Sequence, residues 1–392
     1  MDNSNNIATI ECHECRLAVN ILPLNESQKA VCPRCGYTLI AIHKNAIDRI
    51  LAFSLTALIF LLGSLPFEFL SFKANGLENK FDVAASFNIL IEHNYEVLAL
   101  LELVTIFIIP TLILLALIYL LMPLRKGVYP KKGHSVLKLI FKLMPWSMAE
   151  IFLIGILVSL IKIISMADVH LGPSFYSFTL FSLAMTAAVL HIDKKHLTQL
   201  LDNVRAPLPK AKNINKRRSL ADKSFSIQQT WALIITSVVL YIPANILPIM
   251  NTRLLGQDDP STILGGVILL WNMGSYPIAL VIFIASILVP VSKILVLAWL
   301  NYSVQTQQKN LTIERIKLYR LAEFVGRWSM VDVFVVIILA SLIQLGNAMS
   351  IYPGAATIAF SGVVVATMLA AMSFDSHLIW NISKPYDNKT TS

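Results

Sequence analysis

The chain has 392 residues, of which 56% are hydrophobic and only 14% charged, and its mean hydropathy is +0.67. An ordinary soluble domain is excluded by such numbers, and a polytopic membrane protein is the class that fits. The net charge of +9 needs no nucleic-acid partner: the basic run "KAKNINKRRS" has no aromatic residues interleaved and reads as a topology signal that can also touch anionic lipid.

All four cysteines fall in the first 45 residues, as Cys12-x2-Cys15, sixteen intervening residues, then Cys32-x2-Cys35. This is the spacing of a zinc ribbon, in which two knuckles bring four thiolates to one tetrahedral ion. Pro33 and Gly36 suit the tight second knuckle. With four cysteines the site is closed, so the zinc is structural and folds a segment too small for a core of its own. His13 and His43 are then bystanders, and the ribbon is expected to buttress the first helical unit. Iron in a rubredoxin-like site uses the same ligands, and two disulfides are the weaker reading in a reducing compartment.

A helix crosses a bilayer with about 20 apolar residues. Eight stretches qualify, near 47–65, 95–122, 149–166, 174–191, 229–247, 276–302, 330–348 and 355–373. Backbone satisfaction in lipid requires that they be helices. The first is not a cleaved signal peptide, because a polar, cysteine-bearing segment precedes it and no small-residue cleavage site follows. Counted along this topology, 27 Lys and Arg fall on one side, and only Lys73, Lys80 and Arg253 on the other. The positive-inside rule then places both termini in the cytoplasm. The two longer external loops, 66–94 and 248–275, hold apolar runs such as "STILGGVILLW", too short to span. They are read as helices on or in the outer leaflet, or as packed loops.

Residues 146–193 superimpose on 328–375 at a shift of 182, "WSMAEIFLIGILVSLIKI" over "WSMVDVFVVIILASLIQL", with Gly172 on Gly354 and Asp193 on Asp375. Upstream the match continues through Pro110 and Pro290, and through Pro66 and Pro243, which sets Glu68 opposite Asn245. The expected fold is an all-α polytopic membrane protein of two parallel four-helix repeats, eight helices, with one N-terminal cytoplasmic zinc ribbon. The divisions are a ribbon at 1–45, a first unit at 46–193, a basic cytoplasmic linker at 194–228, a second unit at 229–378 and a tail at 379–392.

The ribbon "CHEC…CPRC", the stretch "YIPANILPIM", the "WSM" before the third helix of each unit and "SFDSHLIW" after the eighth together resemble the paraquat-inducible protein A family and its intermembrane lipid transport relatives. The resemblance covers nearly the whole chain. It implies an inner-membrane protein working with a periplasmic MCE-type tunnel partner that carries phospholipid between the two membranes. Family members often carry a second ribbon before the second unit. Here 201–228 contains no cysteine, and the basic linker takes its place.

Charged and polar residues inside the spans are the candidates for work. Lys293 follows Pro290 in "ILVPVSKILVLAWLN", roughly 9 Å from the interface marked by Trp299. A lysine so deep costs about 2.5–3.5 kcal/mol on insertion scales, so it faces a cavity or a carboxylate, or else snorkels. The first unit has Ile113 in its place. Pro290 also frees the carbonyl of Ser286. Glu150 and Asp332 occupy equivalent positions, where Ser147-x-x-Glu150 and Ser329-x-x-Asp332 read as capping boxes or as partners of a proton pathway. Asn245, between Pro243 and Pro248, lines a cavity or marks a helix stop. Glu102 and Lys162 belong in the interior, and Thr367 can bond across helices.

No nucleophile elbow, P-loop or HExxH helix occurs, so an enzyme is not expected. Two other readings stand beside lipid transport: a membrane redox protein with iron in its ribbon, and a proton-coupled exporter of small amphiphiles.

Overall fold

The structure is a computed structural model and describes residues 8–21, 28–42, 45–74, 77–164, 168–204, 220–254, 257–274, 276–306, 312–343 and 349–380. The basic run 210–219, His43 and the tail beyond 380 lie outside the described residues.

In chain order the elements begin with two hairpins, β1 (Ala8–Glu11) with β2 (Ala18–Ile21) and β3 (Lys29–Val31) with β4 (Thr38–Ala41). The first half follows: α1 (Ala46–Gly63), β5 (Leu70–Ala74), β6 (Leu77–Phe81), α2 (Val83–Glu92), α3 (Glu96–Glu102), α4 (Ile109–Arg125), α5 (Gly133–Leu143), α6 (Ala149–Ile164), β7 (Asp168–Leu171), α7 (Pro173–Leu190) and α8 (Lys194–Val204). The second half has α9 (Leu220–Ile246), β8 (Met250–Leu254), β9 (Gln257–Ser261), α10 (Ile263–Asn272), α11 (Tyr276–Phe283), α12 (Val289–Gln305), α13 (Thr312–Trp328), α14 (Val331–Leu342), β10 (Met349–Pro353) and α15 (Ala355–Ser373).

Eight helical stretches among the described residues are long and apolar enough to cross a membrane: Ala46–Gly63, Glu96–Arg125, Gly133–Leu160, Pro173–Leu190, Phe225–Ile246, Ala279–Gln305, Thr312–Leu342 and Ala355–Ser373. The chain is a mostly helical, multi-pass membrane protein. The third and seventh start earlier than hydropathy implies, because the amphipathic helices α5 and α13 run into α6 and α14. Helices α8 and α9 likewise occupy both ends of the segment expected to be plain linker.

The chain is not all-α. Strands β6-β5-β7 form one three-stranded sheet and β9-β8-β10 another, each joining the loop after the first span of a half to the strand before its last span. Strands of four or five residues leave no mark on a twenty-residue hydropathy window. The sequence nonetheless carries a hairpin signal between β5 and β6, the dipeptide Asn75-Gly76. The apolar runs of both loops are helices, α2 and α10. Leu90 of α2 is buried, whereas α10 exposes Leu264, Ile268, Leu269 and Trp271.

Gly172 and Gly354 show why each half needs its glycine. An added Cβ would lie 2.0 Å from the Glu68 carbonyl oxygen in the first case and 2.0 Å from that of Pro248 in the second. The Gly172 N–H donates to Phe69 O and the Gly354 N–H to Ile249 O. These contacts set Glu68 opposite Pro248, not opposite Asn245. The superposition through Pro66 and Pro243 is therefore off by three residues, since prolines were matched where the backbone contact is the conserved geometry of the two halves.

A π-helical segment precedes each of Pro110 and Pro290, at Leu103–Ile108 and Ile284–Leu288. Proline has no N–H for the carbonyl one turn back, and slipping the ladder to a wider turn accommodates that loss. Within the halves α1 packs along α7 and α9 along α15, while the halves meet where α6 crosses α14. At that crossing a Cβ on Gly155 would sit 3.2 Å from Phe334 Cβ.

Candidate functional site

The four cysteines converge. Their sulfurs all lie within 4.8 Å of one another, with Cys12 to Cys35 and Cys15 to Cys32 each 3.5 Å apart, and all four residues are buried. A tetrahedral zinc with Zn–S of 2.3 Å places sulfurs roughly 3.8 Å apart, so the donor set fits. Both knuckles use the same turn: Arg16 N–H donates to Cys12 O and Gly36 N–H to Cys32 O, and Arg16 and Gly36 take left-handed φ of 55° and 71°. Burial opposes ionisation of Cys32, but amide hydrogen bonds from Cys35 and Arg34 outweigh it and bring the thiol down to about 7. Burial pushes Cys35 up to about 11. His13 is not part of this cluster; its ring faces Tyr37 and His377.

The ribbon does not rest on the first half alone. Its cysteines share a hydrophobic cluster with Leu300, Val304, Ile316, Phe374, Leu378 and Trp380, all from the second half. Arg320 of α13 forms a bidentate ion pair with the buried Glu14, and its Nη2 also donates to the Cys35 carbonyl at 3.0 Å. Arg34 stacks over Trp380 at 4.3 Å. The first half contributes Asp193, which accepts from Ala41 N–H at 3.0 Å, and Lys195, which donates to Glu11 O at 2.9 Å. The ribbon bridges both halves and is latched by charge to the second. Long-range pairs such as Glu14 with Arg320, 306 residues apart, carry no sequence signature.

Lys293 is 3% exposed and does not reach water at the end of its helix. Its Nζ donates to Thr367 Oγ1 at 2.9 Å, and that hydroxyl donates in turn to Val364 O. Among the described residues no carboxylate lies within ion-pair distance of the amine. A Cβ on Gly326 of α13 would sit 2.7 Å from Nζ, so this glycine makes the channel through which the lysine side chain passes. A cavity of about 370 Å³ adjoins it, with Arg320, Glu323 and Arg327 among its walls. Lys293 and Thr367 are thus brought together, while Gly326 and the α13 charges went unread. The signal for Gly326 was a lone glycine inside a helical pattern.

The other candidates stand apart from that cavity. Asp332 accepts from the Ser286 hydroxyl at 2.5 Å, and Glu150 accepts from Thr186 at 2.7 Å. Ser329 does not cap α14; the N-cap is Met330 and makes no side-chain cap bond. Helix α13 runs to Trp328, and only the two-residue turn Ser329–Met330 separates it from α14, so the position before the new helix is Met330. Asn245 donates back to Tyr241 O of its own helix at 2.8 Å, a helix-end bond. Glu102 is fully buried in the first half and accepts from Ser86 at 3.1 Å. Lys162 lies in α6, with its side chain outside the described residues.

The sequence profile described as Paraquat-inducible protein A matches the chain twice, over residues 47–202 and 227–384. The chain belongs to the paraquat-inducible protein A family. This member is 37% identical to "Intermembrane transport protein PqiA" of Escherichia coli K12 over 95% of each chain. It is 27% identical to "Probable intermembrane transport protein" of Haemophilus influenzae over 95% of this chain and 96% of that one. To "Lipophilic envelope-spanning tunnel protein A" of E. coli the identity is 26%, over 94% of this chain and 90% of the other. No solved structure matches this family member.

Proposed function

We propose that this protein is the inner-membrane component of a system that passes phospholipid between that membrane and a periplasmic tunnel partner of the MCE type, with both termini cytoplasmic and one structural zinc in the ribbon. The observation that carries it is Lys293, an ammonium group at 3% exposure whose partner is a hydroxyl, beside a cavity walled by charged and apolar groups. A residue that costs about 2.5–3.5 kcal/mol to insert is not kept in a span for packing. Relatives named for intermembrane transport and for an envelope-spanning tunnel support the reading. In it the two halves are parallel repeats that have diverged, the second keeping the charge and the first holding the fully buried Ile113 instead.

Lys293 is the group that takes up and releases a proton as lipid passes, with Thr367 holding the amine in place. Asp332, Glu150 and Glu102, which stand apart from that cavity, are the carboxylates we assign to the rest of the proton pathway, and Asn245 closes the end of its helix. The test is a strain lacking the protein. The wild-type chain should restore envelope lipid balance and co-purify a periplasmic MCE-type protein, and a chain that restores the envelope with no such partner bound would refute the assembly proposed here.

A further inference from the structure

We infer that the cavity beside Lys293 binds the phosphate headgroup of an anionic membrane lipid. The inference deepens the transport reading and rests on it for what the bound lipid is for. The cavity lies where α12, α13 and α15 meet the C-terminal end of α5 and the 3-10 turn after it, through Phe141, Met144 and Pro145. Its volume, about 370 Å³, suits a glycerophosphate headgroup rather than a whole lipid.

Charge selects the ligand. Lys293, Arg320 and Arg327 face one acid, Glu323, across this space. Arg320 is already committed to Glu14 of the ribbon. The guanidinium of Arg327 has no hydrogen-bonded partner among the described residues; it lies one helical turn from Glu323 and lines the same cavity. A planar fork with an ammonium group deeper in the pocket is a phosphate-binding pair.

The rim selects the source. Leu321, Phe324 and Trp328 form a stripe at helical spacing along α13 and are 56%, 55% and 45% exposed. Phe324 belongs both to this stripe and to the cavity wall, and Met372 of α15, also exposed, lies on the same wall. An apolar rim on a membrane protein faces acyl chains. The occupant therefore enters from the leaflet, and its tails lie along Phe324 and Met372 while its phosphate meets Arg327 and Lys293.

The test titrates the purified full-length protein in neutral detergent with phosphatidylglycerol, phosphatidylcholine or inorganic phosphate, and reads bound ligand by native mass spectrometry. Phosphatidylglycerol should bind about tenfold more tightly than phosphatidylcholine, and inorganic phosphate should not displace it. Arg327→Gln should weaken phosphatidylglycerol and bring its binding down to the level of phosphatidylcholine, removing that preference. Phe324→Glu, at an exposed position, should weaken phosphatidylglycerol in the same way without touching a basic residue. Equal binding of the two lipids, indifference to both substitutions, or displacement by inorganic phosphate, which marks a free-anion site, would each overturn the inference. Binding is measured without partner or transport. A lipid preference lost in Arg327→Gln, in a protein dispensable for envelope lipid balance, would uphold the site and defeat the transport reading. Full transport with no lipid preference would do the reverse.

Discussion

The rings of Phe152 and Phe334 meet edge to face, 5.6 Å between centroids and 88° between planes, and the two residues occupy the same position in the superimposed halves of the sequence. Equivalent residues of two repeats touch one another at a shared axis, so this contact at the α6–α14 crossing is what the proposed parallel repeats would give. Both rings are fully buried. Either Phe152→Ala or Phe334→Ala should destabilise the protein by about 3–5 kcal/mol, and the double variant should lose less than the sum, because the two share one contact. Thermal unfolding in detergent checks both statements.

The ribbon should carry one zinc per chain, and Cys32→Ser should lose it and lower the yield of folded protein. Elemental analysis of the purified protein reads the metal, and stoichiometric iron would reassign the ribbon to redox chemistry. Ligation needs thiolates. Burial raises the Cys35 thiol to about 11, and amide hydrogen bonds that outweigh burial lower Cys32 to about 7, so protons compete increasingly as pH falls. Acid should therefore release the metal and alkali should tighten it, which a chromophoric chelator measures.

The ion pair of Glu14 with Arg320 should hold the ribbon to the second half. Arg320→Ala leaves a buried carboxylate unpaired, at a cost of about 1.5–3 kcal/mol for a charge-assisted pair. Limited proteolysis should then cut between the ribbon and α1 faster than in the wild type, with the metal still bound. An unchanged digestion pattern would mean that the apolar cluster around Trp380 suffices.

Lys293→Ala should abolish complementation while the protein accumulates normally, and Lys293→Arg should fail too if the amine must release a proton, since arginine does not. Gly326→Ala tests the same geometry without changing a charge. Its new methyl group would fall 2.7 Å from Nζ, and the flexible end of the lysine can give way, so the protein should fold but lose the bond to Thr367. Full activity of Lys293→Ala in complementation would remove this lysine from the mechanism.

Much of this protein was legible along the chain because it is written in local patterns. Eight apolar stretches, the four-cysteine spacing and the depth of Lys293 each depend on neighbours a few residues away, and desolvation of a backbone or a charge acts on them wherever the chain goes. Pro290 likewise announced a freed carbonyl at Ser286, whereas the π segments before Pro110 and Pro290 belong to the structure. What needed the tertiary structure were relations between distant segments. The ribbon's docking on α13 and Trp380, the sheets that tie β7 to β5 and β10 to β8, and the alignment of Glu68 with Pro248 depend on which faces the packed helices turn to one another. Rotation of a helix about its axis is set by the summed contacts of its whole surface. No single residue announces it, and so the sequence could place Lys293 within a span while only the packing of α12 against α13 and α15 decided that it meets Thr367 past Gly326.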